Sequence, residues 1–178
     1  MLAAFSHKPQ DFIAKCPFTL TMRSARKAST DFVQVRNSFR DQGIMRLLGA
    51  RISRLEKGLV EISANNRPQL SQQDGFVHAG ALATLADSAG GYATLSLLPK
   101  GSRVLSVEFK LNFMRPARGE AIRARGKVRK IGRTIAVCEL EAETRQRGRW
   151  TQCAWGSQTV YCVRTSKAGL EGSGDAGS

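Results

Sequence analysis

Histidine and paired cysteines, the residues that most often hold zinc, are scarce in this chain of 178 residues. It contains two histidines, His7 and His78, and four cysteines, none of which stands in a C-x-x-C pair. Zinc sites need three or four such ligands, usually at short spacings. The sequence therefore predicts no metal site, and we expect no metal or redox cofactor.

Long hydrophobic runs are also absent. A membrane-spanning helix needs about 20 consecutive apolar residues. The longest candidate, residues 79–98, is interrupted by Asp87, Ser88, Gly90 and Gly91. We therefore predict no membrane span. Three of the cysteines lie in apolar, strand-like segments, which predicts buried, reduced thiols and a cytoplasmic location; they are Cys138, Cys153 and Cys162.

Acidic and aromatic residues are few. The chain has 28 Lys and Arg against 14 Asp and Glu, a formal net charge of +14. This balance favours polyanionic ligands, although an ordinary basic surface explains it as well. Aromatic residues make up 7% of the chain, and none alternates with the arginines as a nucleic-acid stacking platform requires. We therefore predict no nucleic-acid partner.

Composition divides the chain into three parts. Residues 1–30 form a basic leader with a single acid, Asp11. Such a leader is typical of a mitochondrial transit peptide, and a true start at Met22 would explain it equally well. Residues 31–164 have the composition of one globular domain, and residues 165–178, rich in glycine and serine, predict a disordered tail.

Hydrophobic periodicity predicts a helix over residues 31–48, interrupted by Gly43 and ended by Gly49. A second helix, residues 77–98, is apolar around most of its circumference, which is typical of a buried helix. Six segments show the alternation of strands, and they are residues 50–56, 59–64, 103–114, 120–131, 134–144 and 150–163. One buried helix and an antiparallel sheet predict an α+β fold.

Two glycines in the buried helix point to close packing. Gly90 and Gly91 each cost a helix about 1 kcal/mol relative to alanine. Such a cost suggests that a sheet or a partner helix approaches very closely at this point.

Asp87 lies on the same helix among Leu85, Ala86 and Ala89. An unpaired carboxylate in apolar surroundings costs several kcal/mol. Asp87 must therefore pair with a cation, meet other hydrogen-bond donors or face a cavity. An ion pair with an arginine of the sheet would make it structural, and a cavity would make it a candidate for catalysis.

The start of the helix offers a second reactive group. Free amides at a helix N-terminus, here around His78, Ala79 and Gly80, can stabilise an oxyanion. Ala79 and Asp87 are eight positions apart, about 12 Å along a helix axis. This is too far for both to act on one small group, unless two subunits each contribute one of them.

The segment V-H-A-G-A-L-A-T-L-A-D-S-A-G-G, residues 77–91, resembles the signature of hotdog-fold acyl-CoA thioesterases of the phenylacetyl-CoA and 4-hydroxybenzoyl-CoA thioesterase branch. In that signature a His-Gly-Gly turn precedes an apolar helix with an acidic residue. Residues 106–117 resemble the next strand and turn, and residues 126–134 the following hairpin. The resemblance covers residues 32–163.

The resemblance implies a hotdog fold, with a six-stranded antiparallel sheet around one long helix. It implies hydrolysis of an acyl- or aryl-CoA to the free acid and coenzyme A, in a homodimer that pairs into a tetramer, within fatty acid metabolism. Ala79 stands where the family has glycine, and its methyl would crowd the turn if it needed a positive φ. This departure keeps a non-catalytic acyl-CoA-binding module as the alternative.

The resemblance also implies roles at the start and middle of the helix. Asp87 is the nucleophile or the general base. The Ala79 amide polarises the thioester carbonyl, and Gln72 orients water or the thioester. His78 stabilises the turn, and Gly80 contacts the substrate.

Further roles fall on the long strands. Ser106 matches a serine that helps to position the attacking water from the partner subunit. Arg129, Lys130 and Arg133 are predicted to hold the phosphates of coenzyme A. A solvated strand face, shared with the arginines that precede Arg129, is the alternative for this basic segment.

Overall fold

A computed structural model describes residues 32–164. The predicted leader, transit peptide and tail lie outside the described residues. Two short helices, α1 (Phe32–Asp41) and α2 (Gly43–Leu48), occupy the region predicted as one interrupted helix. The chain is extended at Gln42, which separates them. Gly49 ends α2 with a φ of 62°, a left-handed conformation that glycine adopts at little cost.

Six strands lie where the alternation of the sequence predicts them. They are β1 (Arg51–Glu56), β2 (Leu59–Asn65), β3 (Arg103–Phe113), β4 (Ala121–Ile131), β5 (Ile135–Gln146) and β6 (Arg149–Val163). All neighbouring strands are antiparallel, and their order is β1-β2-β4-β5-β6-β3. β3 therefore forms one edge of the sheet.

The buried helix, α3 (Ala79–Leu95), packs against one face of this sheet and contacts all strands from β2 to β6. The polar loop before it contains a short 3-10 helix, Pro68–Leu70, and a bridge between Ser71 and Val77. This is the predicted α+β, hotdog arrangement, and that prediction is confirmed. Within residues 32–164, no helix has the length and apolarity needed to cross a membrane.

α3 and the sheet come closest at Gly90. A Cβ atom on Gly90 would lie 1.9 Å from Oε1 of Gln158 on β6, and one on Gly126 of β4 would lie 2.3 Å from the Gly90 nitrogen. A side chain at position 90 would displace the amide of Gln158, and one at position 126 would meet the backbone of α3 and move the helix away from the sheet. Gly91 differs, because the nearest atom to its Cβ position is Val104 Cγ2, at 3.8 Å. The close packing that we predicted is therefore found at Gly90.

The three cysteines within residues 32–164 are buried free thiols, as predicted. Burial raises the pKa of Cys138 and Cys162, and it raises the pKa of Cys153 to about 11. Because the thiolate is the nucleophilic form of cysteine, these thiols are poor nucleophiles at neutral pH.

Candidate active site

Asp87 lies in the middle of α3, opposite β3 and β6. Its Oδ1 accepts a hydrogen bond from Ser106 Oγ at 2.5 Å and another from Gln158 Nε2 at 2.7 Å. Neither donor is charged, and Asp87 forms no ion pair within residues 32–164. The structural alternative of an arginine partner does not occur here. The structure brings Asp87 and Ser106 together within one chain, whereas the resemblance implies a serine that acts from the partner subunit.

Gln158 is the residue of this cluster that sequence reasoning missed. It lies on β6 with no solvent exposure, and its Nε2 is also within 2.9 Å of Ser106 Oγ and 3.1 Å of the Asp87 main-chain oxygen. Its neighbours on the same face of the strand, Gly156 and Val160, are small or apolar. A single amide on the inward face of an apolar strand is the signal that could have found it.

The other carboxylate oxygen of Asp87, Oδ2, accepts no hydrogen bond from residues 32–164. Asp87 is half-buried and lines a groove of about 970 Å³ between α1, α3 and β3. Ligand pockets in proteins commonly have volumes of roughly 300 to 1,000 Å³. Beyond Asp87 the groove follows α3 past Gly91 and Tyr92 to Leu95, and Val104 lies opposite. The free oxygen therefore belongs to a residue that faces a ligand-sized space.

α1 forms the outer wall of this groove, held by side-chain hydrogen bonds. Gln34 donates to the Ser102 carbonyl at 2.8 Å and accepts from the Gly101 amide at 3.0 Å. Ser38 Oγ and the Tyr92 hydroxyl are 3.4 Å apart. Burial raises the pKa of Tyr92, so its hydroxyl stays neutral and can donate a hydrogen bond inside the groove.

The N-terminus of α3 presents a free backbone donor. His78 is the N-cap, and its Nδ1 accepts a hydrogen bond from the Gly80 amide at 2.9 Å. The neighbouring Ala79 is exposed, and its N–H donates to no acceptor within residues 32–164. The only non-glycine residue in that range with a positive φ is Arg147. Ala79 therefore tolerates its methyl group without strain, and its amide is available to a ligand.

Ala79 and Gln72 line a second hollow, of about 370 Å³, together with Phe113 and Met114 at the end of β3. Asp87 does not line this hollow, and Ala79 does not line the groove. Ala79 and Asp87 therefore line two separate hollows along the same helix. Their separation is about 12 Å along the axis, from the eight positions between them.

The basic residues of β4 are largely engaged with glutamates of the neighbouring strands, on the face opposite α3. Arg125 contacts Glu61 of β2 at 3.0 Å and Glu141 of β5 at 2.9 Å. Arg123 contacts Glu143 of β5 at 2.5 Å. This part of the basic strand forms a paired outer face of the sheet.

Of the three residues predicted to bind phosphate, Arg129 forms an ion pair with Glu139, which also accepts a hydrogen bond from Trp155 Nε1 at 3.1 Å. Lys130 and Arg133 are exposed at the end of β4 and in the turn that follows. Neither side chain has a hydrogen bond or ion pair with another residue of the 32–164 region. These two cations remain available to an external anion.

The chain is similar in sequence and in fold to known thioesterases. Residues 74–151 match the sequence profile of the Thioesterase superfamily. A thioesterase family protein from Silicibacter pomeroyi is 42% identical in sequence, with a TM-score of 0.72, and the match covers 74% of this chain and 97% of that one.

Two Escherichia coli proteins are more distant. The medium/long-chain acyl-CoA thioesterase YigI of strain K12 is 26% identical over 111 residues, which cover 54% of this chain and 72% of YigI. The PaaI protein from the phenylacetic acid degradation operon is 20% identical, with a TM-score of 0.68, and the match covers 76% of this chain and 95% of PaaI. This likeness shows the shared fold. The chain belongs to the thioesterase superfamily and is a thioester hydrolase.

Proposed function

We propose that the protein hydrolyses the thioester bond of an acyl- or aryl-CoA and releases the free acid and coenzyme A. The observation that carries this proposal is the Asp87 carboxylate, held through Oδ1 by two uncharged donors while Oδ2 accepts no hydrogen bond from the described residues. The walls of the groove beside it include Gly91, Leu95 and Val104, which suit a hydrocarbon acyl group.

In the proposed mechanism, Asp87 acts as a general base. Its Oδ2 takes a proton from water while the water oxygen attacks the thioester carbonyl carbon. The Ala79 amide stabilises the resulting oxyanion at the N-terminus of α3, and Gln72 orients the thioester beside it. The C–S bond then breaks, and the proton passes from Asp87 to the departing sulfur of coenzyme A. Ser106 keeps the carboxylate oriented through Oδ1.

We further propose that each complete site forms between two copies of the chain. In a symmetric dimer with antiparallel α3 helices, Ala79 of one protomer can approach Asp87 of the other, and the reverse contact forms a second site. The inward face of the edge strand β3 and its end carry large apolar side chains that are 43% to 50% exposed, namely Phe109, Phe113 and Met114. A second α3 would cover them. Pairing of dimers into a tetramer is the further expectation from the resemblance.

For the coenzyme A portion, we propose that Lys130 and Arg133 bind phosphate. Arg129 adds positive charge to the same region, although its guanidinium is already paired with Glu139. Charged hydrogen bonds to phosphate are the strong ones in proteins, and the engaged arginines of β4 have fewer donors left to form them.

The activity test measures thiol release from short-chain, long-chain and aryl acyl-CoAs. Asp87→Asn should reduce kcat by about 10³-fold, because the amide cannot accept the proton, and it should leave the melting temperature nearly unchanged. Asp74→Asn, the same change on an exposed loop, is the control and should match the wild type. Full activity of Asp87→Asn would contradict the mechanism. Saturable acyl-CoA binding without any thiol release would favour the non-catalytic alternative.

Asp87→Asn, combined with a second variant, also tests whether each site is shared between two chains. Ala79→Pro removes the proposed oxyanion donor, and proline is tolerated at the first position of a helix after an extended residue such as His78. It should reduce kcat by about 10²- to 10³-fold. Dimers that contain one Asp87→Asn chain and one Ala79→Pro chain, isolated by two different tags, should recover about half of the wild-type rate, because one of their two sites is intact. No recovery would contradict the shared site.

A further inference from the structure

Gln158 occupies an unusual position for an amide side chain. It lies on β6 between β3 and β5, paired in register with Phe109 and Cys138, and its side chain is wholly buried beneath α3. Buried polar side chains almost always satisfy their hydrogen-bonding groups. The contacts of Gln158 therefore indicate what the residue does.

The amide nitrogen of Gln158 is directed at the reactive carboxylate. Its three contacts are with Asp87 Oδ1 at 2.7 Å, Ser106 Oγ at 2.9 Å and the main-chain oxygen of Asp87 at 3.1 Å. Nε2 has two hydrogens, so one can be donated to Oδ1 and the other shared between the remaining two oxygens. One amide thus links the carboxylate, its serine partner and the helix backbone.

We propose that Gln158 is a positioning residue that fixes the orientation of the Asp87 carboxylate. The inference rests on the proposed function of Asp87. With Ser106 and Gln158 both donating to Oδ1, rotation of the carboxylate is restricted and Oδ2 is directed toward the groove. A reacting group held in this way needs no reorientation before it takes a proton from water.

A role in packing alone explains these contacts less well. Without Gln158, Asp87 Oδ1 still accepts from Ser106, and the Asp87 carbonyl still lies inside α3, where helix amides bond it. Meanwhile the amide oxygen of Gln158 is buried and has no hydrogen-bond partner among residues 32–164. Gln158 thus leaves its own Oε1 without a hydrogen bond, which costs stability, while its Nε2 donates to Asp87. Such a cost is expected where a residue serves a site and not the packing of the core.

The test substitutes Gln158→Met, which keeps the length of the side chain and removes both the donor and the unsatisfied oxygen. We expect kcat for acyl-CoA hydrolysis to fall on the order of 10²-fold, as for a misplaced catalytic group. KM should stay within about threefold of the wild type, since the groove is unchanged, and the melting temperature should be equal or higher. Gln158→Leu repeats the test if the Met variant does not give folded protein.

Thr94→Val is the matched control. Thr94 is also fully buried between α3 and the sheet, where its hydroxyl contacts Gly90 O at 3.1 Å and Cys138 Sγ at 3.2 Å, but it does not contact Asp87. It should keep wild-type kcat. A Gln158→Met enzyme within about threefold of wild-type kcat would overturn the proposal. The proposal would also be overturned if Gln158→Met and Thr94→Val lost kcat to a similar extent and both had lower melting temperatures.

Asp87→Asn, measured beside these variants, separates the two hypotheses. If Asp87→Asn is inactive and Gln158→Met is fully active, only the positioning role fails. If Asp87→Asn keeps full activity, the proposed function of Asp87 fails first.

Discussion

Glu61 is buried and Asp87 is half-buried, and the two carboxylates lie on opposite sides of the sheet with different kinds of partners. Glu61, on the outer face, contacts Arg123 at 3.7 Å and Arg125 at 3.0 Å and accepts a hydrogen bond from Ser53 at 2.8 Å. Asp87, on the side of α3, accepts hydrogen bonds only from uncharged groups within the described region.

These different partners suit the two carboxylates to different roles, Glu61 to stabilising the fold and Asp87 to the proposed chemistry. Burial alone would raise the pKa of Glu61, but the Ser53 hydrogen bond and the two arginines outweigh it, and the pKa is lowered. A carboxylate compensated in this way stabilises the fold and is a poor base. Among residues 32–164, no cation pairs with Asp87, and none of these residues donates a hydrogen bond to its Oδ2. The numerous charges of β4 therefore form ion pairs on the outer face, whereas the neutral groups around Asp87 orient the carboxylate that we propose as the general base.

Of the substitutions that test this comparison, a larger side chain in the groove beside Asp87 should have the largest effect on activity. Gly91 is one turn beyond Asp87 and lines the groove, and its Cβ position has no contact shorter than 3.8 Å. Gly91→Leu should reduce kcat/KM for long-chain and aryl substrates by about 10- to 10²-fold, because the side chain occupies space needed by the acyl group. Short-chain substrates should be hardly affected, and Gly91→Ala is the control. Equal loss for all chain lengths would exclude this groove as the acyl site.

A smaller effect, on stability instead of rate, is expected on the outer face. Glu61→Gln leaves Arg123 and Arg125 with fewer anionic partners and should cost about 1 to 3 kcal/mol of unfolding free energy at pH 7. The variant should retain wild-type kcat, which would confirm the division between the faces. Urea unfolding and the thiol-release assay measure the two quantities.

The pH dependence of this effect follows from the lowered pKa of Glu61. Its contribution to stability is fully present above the ordinary pKa of 4.5 and is lost as the pH falls through the lower folded value. The difference in stability between the wild type and Glu61→Gln should therefore shrink below about pH 4. A difference that stays constant at low pH would show that the Glu61 charge is not its origin.

The smallest effect, on KM for acyl-CoA, is expected from the exposed cations Lys130 and Arg133. Combined Lys130→Ala and Arg133→Ala should raise KM for acyl-CoA by about three- to tenfold, more at low salt than at high salt. The hydrolysis of a pantetheine thioester that lacks the phosphates should not change. Arg123→Ala, on the engaged part of the strand, is the control and should affect stability more than KM. An unchanged KM in the double variant would remove these cations from the site.

Much of the fold could be predicted because its signals are local. Alternation located all six strands, and the apolar circumference located α3. The arginines of β4 and the glutamates of β5 recur with the same period on strands joined by a short turn, so their pairing could have been inferred from the hairpin. The single predicted helix over residues 31–48 is divided, because the backbone at Gln42 is extended.

The site was predictable only in part. Asp87 stands out as a carboxylate in an apolar helix, and the resemblance pointed to Ser106. Gln158 is 71 positions from Asp87 in sequence, and nothing local connects them. Their contact depends on the register of β6 beneath α3, which is a property of the assembled sheet.

The closeness of α3 to the sheet also has an evolutionary consequence. A Cβ at position 90 and the amide of Gln158 cannot occupy the same space, and Gly126 must admit the backbone of Gly90. Substitutions at these three positions should therefore covary among relatives. Where position 90 has gained a side chain, we expect position 158 to have become smaller. Such lineages would have to orient the carboxylate at position 87 by other means.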